Sequence, residues 1–209
     1  MVKSGKRLPR AFFDRPTLVV ARELIGKVLV HRTPDGSASG IIVEVEAYIG
    51  EEDPACHAAP GPTRRNRPLY GPPGFSYVYL NYGVHFLTNI VTQSEGDPAA
   101  VLLRALEPLD GVPLMRKRRQ GGRSGNGMAD DDLCRGPGNL SRALGITLAQ
   151  NWLDLQGESL FVEDRGVAAG TLAWSPRIGI SVGTEHDWRC YRVGSRAVSG
   201  KRRVLTIDD

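Results

Sequence analysis

The most regular pattern in the chain is an alternation of apolar and polar side chains over residues 41–50, which read Ile-Ile-Val-Glu-Val-Glu-Ala-Tyr-Ile-Gly. A period of two is typical of a β-strand that buries one face. The two carboxylates would repel each other unless cations or water meet them, and an exposed edge strand would give the same pattern. The predicted core face holds Val43, Val45, Ala47 and Ile49, and the opposite face holds Glu44, Glu46 and Tyr48.

A second pattern has helical spacing. It begins near Asp14 and Thr17, either of which could cap a helix, and it ends at Gly26. Short apolar runs alternate with such stripes along the rest of the chain, which predicts strands interleaved with short helices. Further strands are predicted over residues 27–31, 76–80, 84–91, 99–106, 159–163 and 177–182, and further helices over 110–119 and 136–144.

Residues 76–91 predict a β-hairpin, because two β-rich segments flank the loop Asn81-Tyr82-Gly83. Glycine favours the positive φ that a three-residue hairpin loop requires. Tyr77 and Tyr79 would share one strand face, and Tyr82 would stand at the tip, where little core can bury it. An aromatic ring at such a tip more often packs on a neighbouring loop or protein than between nucleic-acid bases.

The predicted strand over residues 99–106 is apolar except for Arg104. A guanidinium among so many apolar neighbours must be paired or must point into a polar cavity, since burying an unpaired charge is costly. Glu44 and Glu46 are the expected partners. A purely structural ion pair and a functional cluster explain this arrangement about equally well.

Six prolines between residues 51 and 74 exclude regular structure there and stiffen the segment into a shaped loop. This proline-rich loop carries His57 and the basic cluster 63–67, and long loops on rigid scaffolds often carry function. Residues 1–10 are expected to be flexible, and the Gly- and Asp-rich segment 120–132 is expected to be a mobile loop. Residues 11–209 are predicted to form a single domain.

The composition is that of an ordinary globular protein, with 209 residues, 41% hydrophobic and 24% charged. No apolar run approaches membrane-spanning length, and no signal-peptide segment follows the basic start, so a cytoplasmic location without a membrane is expected. Cys56, Cys134 and Cys190 are widely spaced and lack a Cys-x-x-Cys pair, which argues against a disulfide framework or a zinc site. No metal or cofactor is predicted.

The net charge of +4 is modest, but arginine is clustered along the chain. Guanidinium clusters suit phosphate binding because each group can pair bidentately with phosphate oxygens. A solvated Arg-rich surface is the alternative, so the clusters favour an extended polyanion only modestly. The clusters are Arg64, Arg65 and Arg67; Arg116, Lys117, Arg118 and Arg119; and the segment from Arg189 to Arg203.

Taken together, these segments resemble the alkyladenine (methylpurine, 3-methyladenine) DNA glycosylases, a family that removes alkylated purines from DNA. The resemblance runs from Phe12 to the Arg-rich C-terminal segment, nearly the whole chain. It implies a mixed α/β (α+β) fold, a single compact domain whose curved antiparallel sheet is surrounded by helices and carries a protruding β-hairpin. The most specific blocks are Val43–Tyr48, Glu52-Asp53 with His57, Arg65–Arg67, Tyr77–Tyr79 with Tyr82-Gly83, Asn89-Ile90 and Val101–Leu109.

The resemblance also implies a role for each matching residue. Glu46 would be the general base that activates water, with Arg104 near that water and a phosphate. Tyr82 would be the wedge that fills the gap left in the duplex. The base pocket would be formed by Tyr48, His57 and Tyr79 and bordered by Asn89, and the basic loop residues Arg64, Arg65 and Arg67 would contact the DNA backbone.

The implied protein is a monomeric base-excision repair enzyme that flips an alkylated purine out of double-stranded DNA and hydrolyses its N-glycosidic bond. Deaminated purines and ethenoadenine are further candidate substrates, and a nucleoid or nuclear location is an alternative to the cytoplasm. A lyase reaction through a Schiff base is disfavoured, because none of the five lysines falls in the pocket blocks. A non-catalytic binder of distorted DNA is the alternative from another class, and Glu46 argues against it.

Overall fold

The computed structural model describes residues 5–121 and 127–200, in which an antiparallel sheet carries short helices. The strands are β1 (Lys6–Arg7), β2 (Val28–Thr33), β3 (Gly36–Ile49), β4 (Ser76–Asn81), β5 (His85–Val91), β6 (Ala99–Asp110), β7 (Leu160–Asp164), β8 (Leu172–Ser175) and β9 (Arg189–Arg192). The α-helices are α1 (Arg10–Phe13), α2 (Thr17–Leu24), α3 (Val112–Gln120), α4 (Asp130–Leu133) and α5 (Pro137–Leu144), with 3-10 helices at Arg67–Tyr70 and Leu148–Gln150.

The sheet is open and its strands run in the order β1-β7-β2-β3-β6-β5-β4, while β9 pairs with both β3 and β8. Helices α2 and α5 close the main apolar core against one face of this sheet, with side chains such as Leu24, Leu103 and Leu144 almost fully buried. The α+β fold expected from the sequence is therefore confirmed.

Strand β3 lies inside the sheet and not at its edge. It pairs with β6 on one side, and on the other side first with β2 and then, around Glu44 and Glu46, with β9. A bulge inserts Val43 as an extra residue, so that Ile42 and Val45, three positions apart, both belong to the main core. Both carboxylates are completely buried, which excludes the solvated edge strand.

Helix α2 begins without the side-chain cap that its sequence suggests. Pro16 precedes the helix and makes no capping hydrogen bond. The hydroxyl of Thr17 instead lies 3.0 Å from that of Thr92 and accepts a hydrogen bond from Gln93, while Asp14 accepts one from a serine. The predicted cap is wrong because these side chains bind the segment after β5.

The hairpin of β4 and β5 has the predicted strands, with a loop that starts one residue later than expected. Asn81 pairs with His85, so the loop is Tyr82-Gly83-Val84. Tyr82 stands at the tip, 89% exposed, and adopts a positive φ of 48°. That conformation costs a residue with a side chain about 1 kcal/mol or more.

The predicted strand over residues 177–182 is wrong. This segment is irregular and pairs with no strand among the described residues. Arg177 binds the carboxylate of Asp53, and the backbone N–H of Ile178 donates to Glu46. The strands in this part of the chain are β8 and β9, on either side of the predicted one.

Two segments expected to be flexible belong partly to regular structure. Lys6 and Arg7 form β1 against β7, and residues 1–4 lie outside the described part of the chain. Within the segment 120–132, Gln120 ends α3 and Asp130 begins α4, whereas residues 122–126 lie outside the described part.

Candidate active site

A cavity of about 500 Å³ opens between the β4–β5 hairpin, the proline-rich loop, the start of α5 and residues 178–180. The structure brings most of the sequence-predicted site residues together on its wall. It does not place Glu46 or the three loop arginines there. The predicted residues that line the cavity are Tyr48, His57, Tyr79, Tyr82, Asn89 and Arg104.

Glu46 lies directly behind the cavity wall, and its side chain is fully buried. One carboxylate oxygen accepts hydrogen bonds from the Ile178 N–H at 2.7 Å and lies 3.2 Å from Arg104 Nη1. The other accepts a hydrogen bond from the Tyr48 hydroxyl at 2.9 Å. Each of these three partners lines the cavity, so the carboxylate is one hydrogen bond away from it.

Arg104 is shared between the two buried glutamates, as the sequence predicts. Its Nε donates to Glu44 at 2.9 Å, and its Nη2 donates to the Ser199 hydroxyl at 3.1 Å. Burial disfavours its charge, but Glu46 and Glu44 outweigh that effect and raise its pKa. The guanidinium therefore remains charged at the back of the cavity.

Besides Arg104, two further residues of the described chain hold Glu44. Arg189 donates to it at 2.7 Å, and the backbone N–H and hydroxyl of Ser199 donate at 2.7 and 2.9 Å. The same arginine reaches the Ser175 hydroxyl and the Ser199 carbonyl. These bonds fasten the last described segment, around Ser199, to strand β3, which also carries Glu46.

Aromatic rings form one wall of the cavity. The His57 ring lies 4.4 Å from the Tyr79 ring in an edge-to-face arrangement, and its Nδ1 is 2.8 Å from the Tyr77 hydroxyl. Burial and the nearby Arg65 lower the pKa of His57, which favours the neutral imidazole. Burial also raises the pKa of Tyr79 to about 12. The wall is therefore uncharged at neutral pH.

Asn89 on β5 lines the cavity next to this wall and is almost completely buried. Its side-chain amide donates to the Tyr77 carbonyl at 3.0 Å across the hairpin. This bond fixes the orientation of the amide, so that Asn89 borders the cavity in one position.

The basic loop places its three arginines outward around one buried asparagine. Arg64, Arg65 and Arg67 are exposed, whereas Asn66 is almost completely buried. The Asn66 amide donates to the carbonyls of His57 and Gly61 at 2.7 and 2.9 Å, and its oxygen accepts from the Thr63 N–H at 2.6 Å. The asparagine thereby sets the path of the loop and the position of His57.

The other two arginine clusters are largely engaged inside the protein. Arg189 binds Glu44, and Arg192 binds Glu107 at 3.0 Å. Arg118 donates to the last carbonyls of α5, and Arg116 pairs with Asp130. Within the described part of the chain, most arginines of these two clusters are thus engaged in internal contacts, whereas Lys117 is exposed; residues 201–203 lie outside the described part.

Arg177 is a site residue that the sequence reasoning missed. Its guanidinium binds Asp53 bidentately at 2.6 and 2.8 Å and lies between the rings of Tyr48 and Trp188, at 4.7 and 5.0 Å from their centroids. It holds the segment whose next residue, Ile178, contacts Glu46. Asp53 in the family-like block was the only available signal, since its partner lies 124 residues away.

The described residues contain no group of three or more side chains arranged to hold a metal ion. The three cysteines are free and buried. In the described part of the chain, no helix has the length and apolar character needed to cross a membrane.

The site combines an arginine-bound carboxylate with an aromatic cavity in front of it. An exposed hairpin tip and a basic loop lie beside the cavity. Together these features define a candidate hydrolase site for DNA bases. The chain belongs to the methylpurine-DNA glycosylase family, whose model matches residues 11–196. It is therefore a DNA glycosylase, a hydrolase of N-glycosyl bonds that acts in DNA repair.

Relatives of similar length support this assignment. A protein from Chlorobium phaeobacteroides is 47% identical over 94% of this chain and 97% of its own. One from Rubrobacter xylanophilus is 49% identical over 87% and 92%, and one from Methanocella arvoryzae is 48% identical over 92% and 95%. Each carries the name "Putative 3-methyladenine DNA glycosylase".

Proposed function

We propose that this protein excises alkylated purines of the 3-methyladenine class from duplex DNA and leaves an abasic site. The observation that carries the proposal is the position of Glu46, a buried carboxylate one hydrogen bond behind an aromatic cavity. Enzymes that act on a base in a duplex extrude it and read it between aromatic planes. The names of the relatives indicate the same substrate class.

In the proposed reaction, Glu46 takes a proton from the water that attacks the sugar C1′. An alkylated purine is often cationic and is then a good leaving group, so a positioned carboxylate that also stabilises positive charge on the sugar is the main requirement. Arg104 contacts that carboxylate and would lie near the water and a phosphate. Among the described residues, the Tyr48 hydroxyl is the one hydrogen-bond partner of its Glu46 oxygen, so the second lone pair of that oxygen would accept the water.

The base would stack against Tyr48, His57 and Tyr79. Tyr82 would enter the minor groove and refill the stack, which offsets the cost of unstacking the lesion. Asn89, fixed by its bond to Tyr77, would discriminate against normal guanine. Arg64, Arg65 and Arg67 would contact the phosphates of the duplex.

A substitution at the carboxylate tests this function directly. Glu46→Gln keeps the shape and the oxygen that accepts from Ile178, but it removes the base. We expect excision of 3-methyladenine in single-turnover assays to fall by about 100-fold or more, while affinity for the lesion duplex changes little. Near-normal excision by Glu46→Gln would refute the general-base role.

Analysis of the product separates the rival reactions. A monofunctional glycosylase yields an intact abasic strand, whereas a lyase also cuts the backbone through a lysine Schiff base. We expect the intact strand, and no excision at all would favour the non-catalytic binder. The same panel of lesions, including hypoxanthine and ethenoadenine, ranks the substrates, and the protein is expected to act as a cytoplasmic or nucleoid-associated monomer.

A further inference from the structure

Arg65 differs from its neighbours in the basic loop because it contacts the wall of the cavity. Its guanidinium carbon lies 5.5 Å from the centroid of the Tyr79 ring, within the range of a cation–π interaction. Its charge also acts on Tyr77, where it opposes the rise in pKa that burial causes. Tyr79 lines the cavity and Arg65 does not, so the guanidinium meets the ring from outside.

The charge of Arg65 acts on several groups of the wall. Burial is the largest cause of the lowered pKa of His57, and the charge of Arg65 is the second cause. Burial raises the pKa of Tyr79 to about 12, and Arg65 opposes that rise. Its positive potential therefore reaches the side chains that a base would touch.

Tyr48, which also lines the cavity, has an arginine against its ring as well, but the charge of that arginine is neutralised. Arg177 lies 4.7 Å from the Tyr48 ring and is bound bidentately by Asp53, and the Tyr48 hydroxyl donates to Glu46. Within the described residues, Arg65 makes no ion pair with a carboxylate. The two rings thus differ in their cationic neighbours: the arginine beside Tyr48 is compensated by a carboxylate, whereas the arginine beside Tyr79 is not.

We propose that Arg65 sets the preference of the base pocket by disfavouring cationic alkylpurines relative to neutral damaged purines. This inference rests on the function proposed above. A purine such as 7-methylguanine carries its positive charge on the ring that would stack on Tyr79, whereas hypoxanthine is neutral. Both bases gain from stacking on the Tyr79 ring. Only the cationic base is repelled by Arg65, because the guanidinium contacts the same ring.

The test compares Arg65→Gln with the matched variant Arg64→Gln, which removes a charge from the same exposed loop without a ring contact among the described residues. Equilibrium affinities are measured for duplexes that carry 7-methylguanine or hypoxanthine on a 2′-fluorinated sugar, since the fluorine prevents excision. The readout is the ratio of the two affinities, cationic over neutral. Loss of a phosphate contact weakens both duplexes alike and leaves this ratio unchanged.

We expect Arg65→Gln to raise the ratio by roughly 3- to 20-fold, the range for one charge acting across an aromatic ring at an effective dielectric constant between those of water and protein. Arg64→Gln should leave it unchanged. An unchanged ratio in Arg65→Gln would make Arg65 a backbone contact only and would overturn the inference. Failure of the wild-type protein to excise 3-methyladenine from an unmodified sugar would instead refute the proposed function.

Discussion

At the scale of single residues, the candidate site is a set of buried charges that neutralise one another. Glu44, Glu46 and Asp53 are matched by Arg104, Arg177 and Arg189, and all six side chains are nearly or completely buried. Removing one partner of such a pair typically costs about 3 to 5 kcal/mol, because the other charge is left without compensation. This cluster explains how a carboxylate can be kept beneath an aromatic cavity in a stable fold.

Asn66 holds neutral groups together, as the arginines and carboxylates hold one another. Its replacement gives a prediction at the scale of single residues. Asn66→Ala leaves the carbonyls of His57 and Gly61 and the N–H of Thr63 without their partner. These hydrogen bonds are partly buried, and each one lost costs about 0.5 to 1.5 kcal/mol, so we expect the proline-rich loop to open locally and excision to fall about tenfold or more. Proteolysis and amide exchange over residues 57–67 measure the opening.

The neighbouring Arg64 provides the control for Asn66. Arg64→Ala changes an exposed side chain in the same loop and should leave proteolysis and amide exchange as in the wild type. If Asn66→Ala showed the same protection as Arg64→Ala, the loop would be held by other contacts and the proposed role of Asn66 would be wrong.

At the scale of elements, the hairpin is a rigid support for an exposed ring. Strand β5 continues into the sheet through β6, and His85 at its start packs closely on Gly138 of α5, where an added Cβ would lie 2.8 Å from the imidazole. Tyr82 is thus held away from the core in a conformation that a non-glycine residue rarely adopts. Exposure and backbone strain at one residue indicate a functional tip.

If Tyr82 is the wedge, Tyr82→Ala should reduce the time that a lesion spends extruded. Stacking of a base on an aromatic ring is worth roughly 1 to 3 kcal/mol, which predicts about a 10- to 100-fold loss of excision from a well-paired duplex. The loss should be smaller when the lesion is mispaired, because less unstacking work is then needed. Tyr82→Phe should excise nearly as well as wild type, and equal losses in paired and mispaired duplexes would contradict the wedge.

The elements differ in how far the sequence could predict them. Strand β3, the hairpin and the partners of Arg104 follow from local periodicity and from the cost of burying a charge. The segment 177–183 and the burial of Arg189 do not, because their partners lie 124 to 145 residues away and single-chain patterns do not show such contacts. Arg189 looks like part of a basic surface in sequence, yet it is fixed by Glu44.

At the scale of the whole molecule, His31 joins the sheet to the helical layer. It lies on β2, is 2% exposed, and its Nδ1 donates to the Leu144 carbonyl at the end of α5 at 2.9 Å. Burial lowers the pKa of His31, the hydrogen bond partly opposes this, and Arg118 adds to it. The folded protein therefore favours the neutral imidazole, and the unfolded chain binds the proton more readily.

This difference predicts how the stability of the whole molecule depends on pH. The contribution of neutral His31 is fully present above the unfolded pKa of about 6.5 and is lost as the pH falls below it, by up to about 1.4 kcal/mol per pH unit until the folded pKa is reached. His57, whose pKa is also lowered, acts in the same direction. His31→Gln can still donate to Leu144 but does not titrate, so it isolates the effect of His31.

Urea unfolding of both proteins at pH 8, 6.5 and 5 measures the difference. We expect the free energy of unfolding of the wild type to fall more steeply than that of His31→Gln between pH 6.5 and 5, and to diverge from it by only about 0.4 kcal/mol between pH 8 and 6.5. Comparison within each protein removes any constant cost of the substitution, and carboxylates that titrate near pH 5 affect both proteins alike. Parallel curves over the whole range would show that His31 is protonated as easily in the folded protein as in the unfolded chain, which its burial against Leu144 argues against.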